Sequence, residues 1–143
     1  MIISRITDTD IPAVSEVLLS AYKDEPWNEN WTKERAIIRI RAILCNYKAA
    51  GLKANDEKDI VGAILGFVDP YSNEDFFYVS ELFVKSERKG QGIGTALLDA
   101  LYKYLKANNI QAIQLISIKN NFKFYKQNGM EKDMADVLYK RIG

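Results

Sequence analysis

The sequence predicts an α+β fold, in which helices cover both faces of one mixed sheet. Apolar residues recur at helical spacing in several stretches, and runs rich in β-branched and aromatic residues lie between them. The predicted order of elements is β-α-α-β-β-β-α-β-α-β. A helix between the strands at 76–84 and 112–118 implies a right-handed parallel crossover, whereas the other strands follow one another as in hairpins.

The composition is that of an ordinary globular domain. Hydrophobic residues make up 48% of the 143 residues and charged residues 27%, so we expect one domain over 1–143. A net charge of +1 gives no global field that would attract nucleic acid. The sequence shows no run of membrane-spanning length and no signal peptide, so we expect a cytoplasmic protein without a membrane partner.

The chain contains no histidine and a single cysteine. Catalysis by Ser-His-Asp or Cys-His groups and most zinc hydrolase sites are therefore excluded, and we expect no metal. Cys45 lies on a predicted helix and is interpreted as a small buried hydrophobe, with covalent acyl transfer as the less favoured alternative. A general base must come mainly from carboxylate, tyrosine, lysine or water.

Two helices are predicted in the first third of the chain. Thr9 is the expected cap of the first, which tolerates Pro12 in its first turn. Thr32 is the expected cap of the second, and Gly51 follows it as a stop. The residues predicted to face inward are Ile11, Val14, Leu18, Ala21 and Tyr22 in the first helix, and Ala36, Ile37, Ile40, Ile43, Leu44 and Tyr47 in the second.

The remaining short elements follow from turn and strand signals. Strands are predicted at 2–6, at 52–55 and 60–68 as a hairpin, and at 137–142. A short helix at 122–128 is expected to end at Gly129.

The most informative stretch runs from the strand at 76–84 through a basic loop into an amphipathic helix. A helix start presents unpaired N–H groups and a partial positive charge, and the absence of side chains lets an anion approach them. Arg88 and Lys89 add full charges. The glycines of this loop are Gly90, Gly92 and Gly94. The residues indicate a diphosphate site, and the structural alternative is a turn whose glycines only relieve strain.

Two common phosphate-binding motifs are missing from this loop. The pattern G-x-G-x-x-G fails because Thr95 and Leu97 stand where its last glycine is required, and no Gly-Lys-Ser/Thr occurs. The segment K-G-Q-G-I-G, Lys89 to Gly94, instead resembles the acyl-CoA pyrophosphate loop of the GNAT superfamily of N-acetyltransferases, Q/R-x-x-G-x-G/A. Lysine stands here where arginine or glutamine is usual.

A second segment supports the resemblance. F-Y-K-Q-N-G-M, Phe124 to Met130, resembles the F-Y-x-x-x-G-F segment of the family, and the order of elements resembles the GNAT fold over nearly the whole chain. The N-x-x-A stretch of the family is shortened here to residues 120–123, and the final hairpin of the family is truncated.

The resemblance implies acetyl-CoA as cosubstrate. The residues it implies for binding are Leu82, Phe83, Val84, Arg88, Lys89, Gly90, Gln91, Gly92, Ile93, Gly94, Thr95, Asn120, Asn121 and Tyr125. Backbone groups at 82–84 would serve the oxyanion and pantetheine where parallel strands diverge. Tyr125 would lie by the CoA sulfur as a hydrogen-bond donor or proton relay, because phenol is a weak acid toward a thiolate. The alternative is a core tyrosine.

Glu81 is the candidate general base. It alternates with apolar residues on one predicted strand face, where burial would make a carboxylate a stronger base, and the resemblance places an acid–base residue on this strand in some members. Its expected neighbours on that face are Phe77, Val79 and Phe83. A structural glutamate bonded to nearby backbone is an equal alternative.

The expected acceptor site is the loop between the first two helices. This loop offers carboxylates and aromatic rings that suit a cationic amine, although a solvated loop anchored by tryptophans explains them at least as well. The residues concerned are Asp24, Glu25, Trp27, Glu29 and Trp31, of which Glu25, Trp27 and Trp31 are the predicted acceptor residues. The sequence thus predicts direct transfer of an acetyl group from acetyl-CoA to a primary amine of a small molecule or protein. The alternatives are a catalytically idle acyl-CoA-binding regulatory module and a protein for an unrelated nucleotide such as ATP; homodimerisation stays open.

Overall fold

The computed structural model describes residues 1–143 and contains one five-stranded mixed sheet. The strands are β1 (Ile2–Arg5), β2 (Ala50–Asp56), β3 (Asp59–Pro70), β4 (Asp75–Val84) and β5 (Ala112–Leu115). They lie side by side in chain order, the first four antiparallel and β5 parallel to β4. The predicted mixed sheet and its parallel crossover are confirmed.

Four helices cover the sheet on both faces. They are α1 (Ile11–Lys23), α2 (Lys33–Leu44), α3 (Ile93–Ala107) and the short α4 (Phe122–Gln127). α1 and α2 pack on one face, where Leu18 and Ile40 are fully buried, and α3 packs on the other, around Leu97 and Leu101. The two apolar faces of the sheet are therefore both covered, as the α+β prediction requires.

The starts of the first two helices differ in how they are capped. Thr32 caps α2 as predicted, since its hydroxyl accepts the Arg35 N–H at 3.1 Å. A 3-10 turn precedes α1, and there the Thr7 N–H donates to Asp10 at 2.8 Å. The expected cap at Thr9 is therefore wrong, because the chain turns two residues earlier.

Three local predictions after α2 and at the C-terminus are also wrong. Gly51 lies inside β2, because α2 already ends at Leu44. Cys45 is exposed, since it follows the last buried turn of α2 rather than belonging to it. No strand forms at 137–142, where the chain has no regular structure and no neighbouring strand to pair with.

A β-bulge in β4 changes which residues share a face. Leu65 lies opposite Glu81 while Gly66 lies opposite Val79, so Ser80 is an extra residue that shifts the alternation. Any side chain at Gly66 would collide with the backbone of the neighbouring strand at the Tyr78 carbonyl, which explains the glycine.

The predicted shared face of β4 is therefore only half right. Phe77 and Val79 pack toward α3, whereas Phe83 packs toward α1 and α2. Glu81 lies on the side of Phe83, because the bulge separates both residues from the preceding alternation.

None of the helices combines the length and the apolar composition that crossing a membrane requires.

Candidate active site

A cleft opens where β4 and β5 part. The two strands pair only from Phe76 opposite Ala112 to Val79 opposite Leu115. Beyond Val79, β4 continues to Val84 with β3 as its only partner, so one edge is free from the bulge onward. A cavity of about 470 Å³ lies at this split and is reached by side chains from α1, α2 and α4. We call it the Glu81 cleft.

The ladder to β3 decides which backbone groups face the split. The Lys85 N–H donates to the Val61 carbonyl at 2.8 Å, and hydrogen-bonded pairs alternate along an antiparallel ladder. The backbone N–H and C=O groups of Phe83 therefore form hydrogen bonds with β3. Those of Leu82 and Val84 point the other way, toward the free edge of β4. Of the three predicted residues, these two are placed to offer backbone hydrogen bonds to a ligand.

Glu81 is held by side chains from both helices on its face. Its side chain is only 10% exposed, and its carboxylate accepts a hydrogen bond from the Tyr22 hydroxyl at 2.5 Å and from Arg39 Nε at 3.0 Å. Arg39 also donates to the Ser80 carbonyl at 3.2 Å, which ties the bulge to α2. The carboxylate therefore lies in an ion-paired network of side chains and not only among apolar residues of its strand face.

Tyr22 is fixed in this network as a donor. Burial, and then the negative charge of Glu81, raise the pKa of Tyr22 well above its ordinary value, so its hydroxyl keeps its proton at neutral pH. Its ring packs edge-on against Trp27, with 5.2 Å between the ring centroids.

Tyr125 lines the same cleft from α4. Burial, and then the charge of Glu81, raise the pKa of Tyr125 to about 12, so the phenol is neutral at physiological pH. The hydroxyls of Tyr22 and Tyr102 donate to protein acceptors, whereas that of Tyr125 has no protein partner and is available to a ligand.

The start of α3 offers a row of unused backbone amides. Gly90 and Gly92 have φ angles of 78° and 81°, a conformation that favours glycine, and no atom lies within 4 Å of where their side chains would project. The first backbone bond at the helix start runs from the Ala96 N–H to the Gly92 carbonyl. The N–H groups of residues 90–95 therefore have no protein acceptor, and an anion can approach them.

Gly94 has a different role from the other two glycines. A side chain there would begin 3.1 Å from the ring of Phe124, so the missing atom allows α4 to pack closely on α3. Because Phe124 precedes Tyr125, this contact joins the start of α3 to the Glu81 cleft.

The charged side chains of the loop are tied to the protein. Arg88 forms an ion pair with Asp56 at 2.7 Å and donates to Gln91 at 2.8 Å. Lys89 donates to the Ala21 carbonyl at the end of α1 at 2.8 Å. These contacts hold the loop in place and leave the unpaired amides and the helix dipole as the groups that can attract an anion.

The predicted acceptor loop contributes both tryptophans to the cleft, and Glu29 is the one of its carboxylates that lines the cleft. Trp27 and Trp31 line it together with Glu29, which accepts the Trp31 indole N–H at 2.8 Å. Glu25 is exposed and does not line it.

Of the two predicted asparagines, Asn121 reaches the cleft from the turn before α4. Asn120 is exposed, and it does not line the cleft.

Sequence reasoning did not single out several residues of the cleft. Tyr22 was predicted only as a member of the buried stripe of α1, and Arg35 and Arg39 of α2 were given no role. The one sequence signal for these arginines was their spacing of one helical turn, which puts both on the same side of α2. Ser117, just after β5, carried no signal at all.

A polar cleft lies at the carboxyl end of a split parallel strand pair and adjoins a helix start with unpaired amides, an arrangement typical of ligand sites in such sheets. The chain belongs to the acetyltransferase (GNAT) family, whose model matches residues 12–130. The recognised resemblance is thereby confirmed, together with the fold class.

Solved structures of low sequence identity share this fold. A ribosomal-protein-alanine N-acetyltransferase from Brucella melitensis is 18% identical, with a TM-score of 0.77 over 99% of this chain and 100% of that one. An acetyltransferase from Trypanosoma brucei is 14% identical, with a TM-score of 0.74 over 98% and 99% of the two chains. A transcriptional regulator from Bacillus halodurans is 21% identical, with a TM-score of 0.78 over 99% of both. A search of curated protein sequences finds no match.

Proposed function

We propose that this protein transfers an acetyl group from acetyl-CoA directly to a primary amine. The observation that carries the proposal is the connection between two sites: the free amides at the start of α3 and the Glu81 cleft, joined by the packing of Phe124 on Gly94. The start of α3 suits a diphosphate, and the Glu81 cleft contains groups that can accept or donate protons.

The residues of the loop fit acetyl-CoA, which would supply the acetyl group as a thioester. Six consecutive N–H groups, from residue 90 to residue 95, are free for phosphate oxygens, and the space in front of Gly90 and Gly92 is open. The free backbone groups of Leu82 and Val84 would pair with the amides of the pantetheine arm, with Asn121 nearby in the cleft.

Transfer forms an N–C bond and breaks a C–S bond, while the amine loses a proton and the thiolate gains one. A lysine-like amine with a pKa near 10.4 is neutral in only about one molecule in a few thousand at pH 7, so it needs a base. Glu81 is the carboxylate in the cleft that Tyr22 and Arg39 hold in place. We assign it the role of base, acting through water, against the alternative of a purely structural tie between α1, α2 and β4.

Tyr125 is suited to donate a hydrogen bond rather than to act as a free acid. With its pKa at about 12, giving its proton to a thiolate of pKa about 8.5 would be uphill by roughly 5 kcal/mol. It would therefore stabilise the departing sulfur as a donor, or pass on the proton that the amine releases.

The acceptor is proposed to enter beside Trp27, Trp31 and Glu29. Aromatic rings and a carboxylate favour a cationic amine, while the Arg35 guanidinium, which has no ion-pair partner in the chain, favours an acceptor that also carries a negative group. The acceptor panel should therefore include simple amines, polyamines, amino acids and a peptide that begins with alanine, the residue named for the Brucella neighbour.

Thiol release from acetyl-CoA across this panel tests the proposal. We expect at least one amine to raise thiol release well above the hydrolysis seen without acceptor, with the acetylated amine formed in equal amount. Tyr125→Phe should slow that reaction. If CoA binds but no amine on the panel raises thiol release, the alternative of an idle acyl-CoA-binding regulatory module replaces the proposal.

A further inference from the structure

One charged side chain that lines the Glu81 cleft has no partner. Glu81 is paired with Arg39, whose Nε donates to it at 3.0 Å, and Glu29 accepts the Trp31 indole N–H at 2.8 Å. Arg35 takes part in none of the ion pairs of the chain, and its guanidinium forms no hydrogen bond within the chain. The cleft therefore keeps one free cation, which can recognise an anion of a ligand.

The position of Arg35 follows from the spacing of cleft residues along α2. Trp31, Arg35 and Arg39 all line the cleft and recur every four residues, so one side of the helix and the residue before its cap face the cleft. Arg39 is fixed at the Glu81 end, since it also donates to the Ser80 carbonyl at 3.2 Å. Arg35 lies one turn earlier, about 6 Å along the helix axis toward the loop with the tryptophans.

This spacing sets a distance between two groups of an acceptor. The reacting amine must lie near Glu81, the proposed base, while an anion bound to Arg35 lies about one helical turn, or about 6 Å, away. In an extended carbon chain each bond advances about 1.25 Å, so about three to five methylene groups put about 5 to 7.5 Å between the amine nitrogen and a carboxyl carbon. An α-amino acid, with about 2.5 Å between these atoms, is too short to reach both groups.

We propose that the acceptor is a small ω-amino carboxylate, with its amine near Glu81, its carboxylate on Arg35 and about three to five methylene groups between them. This substrate class rests on the proposed function, which it makes more specific. The Arg35 guanidinium binds the carboxylate through two parallel N–H donors, and the methylene chain lies along the wall that α2 gives to the cleft. The product is the N-acetylated acid, and CoA leaves as the thiol.

A selective site for a carboxylate differs from a general attraction of anions. Arg35 is exposed, so its charge also contributes to the field around the cleft. That field acts on anions of any length, whereas a carboxylate held by Arg35 while the amine reacts requires one range of lengths. Arg41 is the matched control, because it is also exposed, lies on α2 and has no ion pair, but does not line the cleft.

Acetylation of ω-amino carboxylates from glycine to 7-aminoheptanoate tests the proposal, when each acid is compared with its carboxamide. 5-Aminopentanoate and 5-aminopentanamide have nearly the same shape and differ in the negative charge. We expect kcat/KM to peak within the predicted lengths and to exceed that of the matched carboxamide about 10-fold or more. The carboxylate slightly raises the pKa of the amine, so amine ionisation alone would favour the carboxamide.

Three variants assign the preference to a residue. Arg35→Gln should reduce the ratio of kcat/KM for 5-aminopentanoate to that for 5-aminopentanamide about 10-fold, and Arg35→Lys should restore part of it, because lysine keeps the charge but not the paired donors. Arg41→Gln should leave the ratio unchanged. Calorimetric titration of 5-aminopentanoate into protein saturated with CoA makes the same comparison without turnover, and circular dichroism verifies that each variant folds.

Equal kcat/KM for acids and carboxamides, a preference that is the same at every chain length, or an equal effect of Arg35→Gln and Arg41→Gln would each overturn this substrate class. Amine acetylation itself, and with it the proposed function, would then still stand. If no amine raises thiol release but 5-aminopentanoate binds through Arg35, the proposed function fails and the carboxylate site remains. If 5-aminopentanoate neither binds nor reacts, the carboxylate site is overturned as well.

Discussion

The start of α3 uses one continuous stretch of backbone, whereas the Glu81 cleft is assembled from residues of five helices and strands and of the loop between α1 and α2. In the first region, free amides and two glycines with positive φ lie within residues 90–95. In the second, Tyr22 and Arg39 reach Glu81 across 59 and 42 positions of sequence. The first region depends on local backbone conformation, and the second depends on the whole fold.

This difference predicts different responses to mutation. A change at the α3 start should remove binding of the cosubstrate and leave the fold intact. A change in the cleft should alter rate, pH dependence or acceptor affinity while binding of acetyl-CoA persists. The following variants separate the two regions, from the largest expected effect to the smallest.

Gly92→Asp should raise the Kd for acetyl-CoA about 100-fold or more, because a carboxylate there takes the amides assigned to phosphate and repels the anion. Gly129→Asp is the matched control, since Gly129 also has a positive φ, of 87°, and open space around it. Calorimetric titration measures both. Equal losses of acetyl-CoA affinity in the two variants would show that backbone strain causes the effect, and that a location at the start of α3 does not.

Tyr125→Phe should lower kcat about 10-fold to 1000-fold, with little change in the affinity for acetyl-CoA, because it removes one hydroxyl and keeps the ring. Tyr102→Phe is the control, since that hydroxyl donates to the Asn128 carbonyl outside the cleft. Steady-state measurement of kcat in both variants tests this expectation. An unchanged kcat would make Tyr125 a packing residue only.

Glu81→Gln should slow transfer to amines of high pKa by about 10-fold to 100-fold, and less to amines of low pKa, which arrive partly neutral. Single-turnover rates from pH 6 to 9.5 measure this, because Tyr125 keeps its proton throughout that range. A rise of rate with pH in the wild type then reports the amine, whose deprotonated form reacts.

Arg39→Gln is the comparison for a positional role, since it removes the ion pair and keeps Glu81. If Glu81→Gln slows both amine classes equally and Arg39→Gln reproduces the loss, then Glu81 holds the cleft together and water is the base.

Trp31→Leu should raise KM for the acceptor about 3-fold to 10-fold with kcat nearly unchanged, because a ring that contacts a cation contributes about 1 kcal/mol. Glu25→Gln should change neither constant, since Glu25 is exposed and outside the cleft lining. Acceptor titrations at saturating acetyl-CoA test the pair. An effect of Glu25→Gln equal to that of Trp31→Leu would place the acceptor elsewhere in the loop.

The same difference explains what the sequence could predict. Helix periodicity, the cap at Thr32 and the glycines of the α3 loop are local features, so they are visible in a few consecutive residues. The family segment around Tyr125 likewise allowed its position in the cleft to be anticipated.

Contacts between distant residues could not be read in this way. The bulge at Ser80 moved Glu81 to the face of α1 and α2, and its only sequence signal was Gly66 within a predicted strand. Residues 137–142 have the composition of a strand, but a strand also needs a partner, which a local pattern cannot supply.

The melting temperature of the wild type as a function of CoA concentration tests the central claim most directly. A ligand at 100 times its Kd adds about 2.7 kcal/mol of stability, and for a chain of this size the melting temperature should rise by roughly 10 °C. We expect that rise with CoA, and a much smaller one with ATP at the same concentration. No rise with CoA, or an equal rise with ATP, would contradict the claim that the start of α3 is an acyl-CoA site.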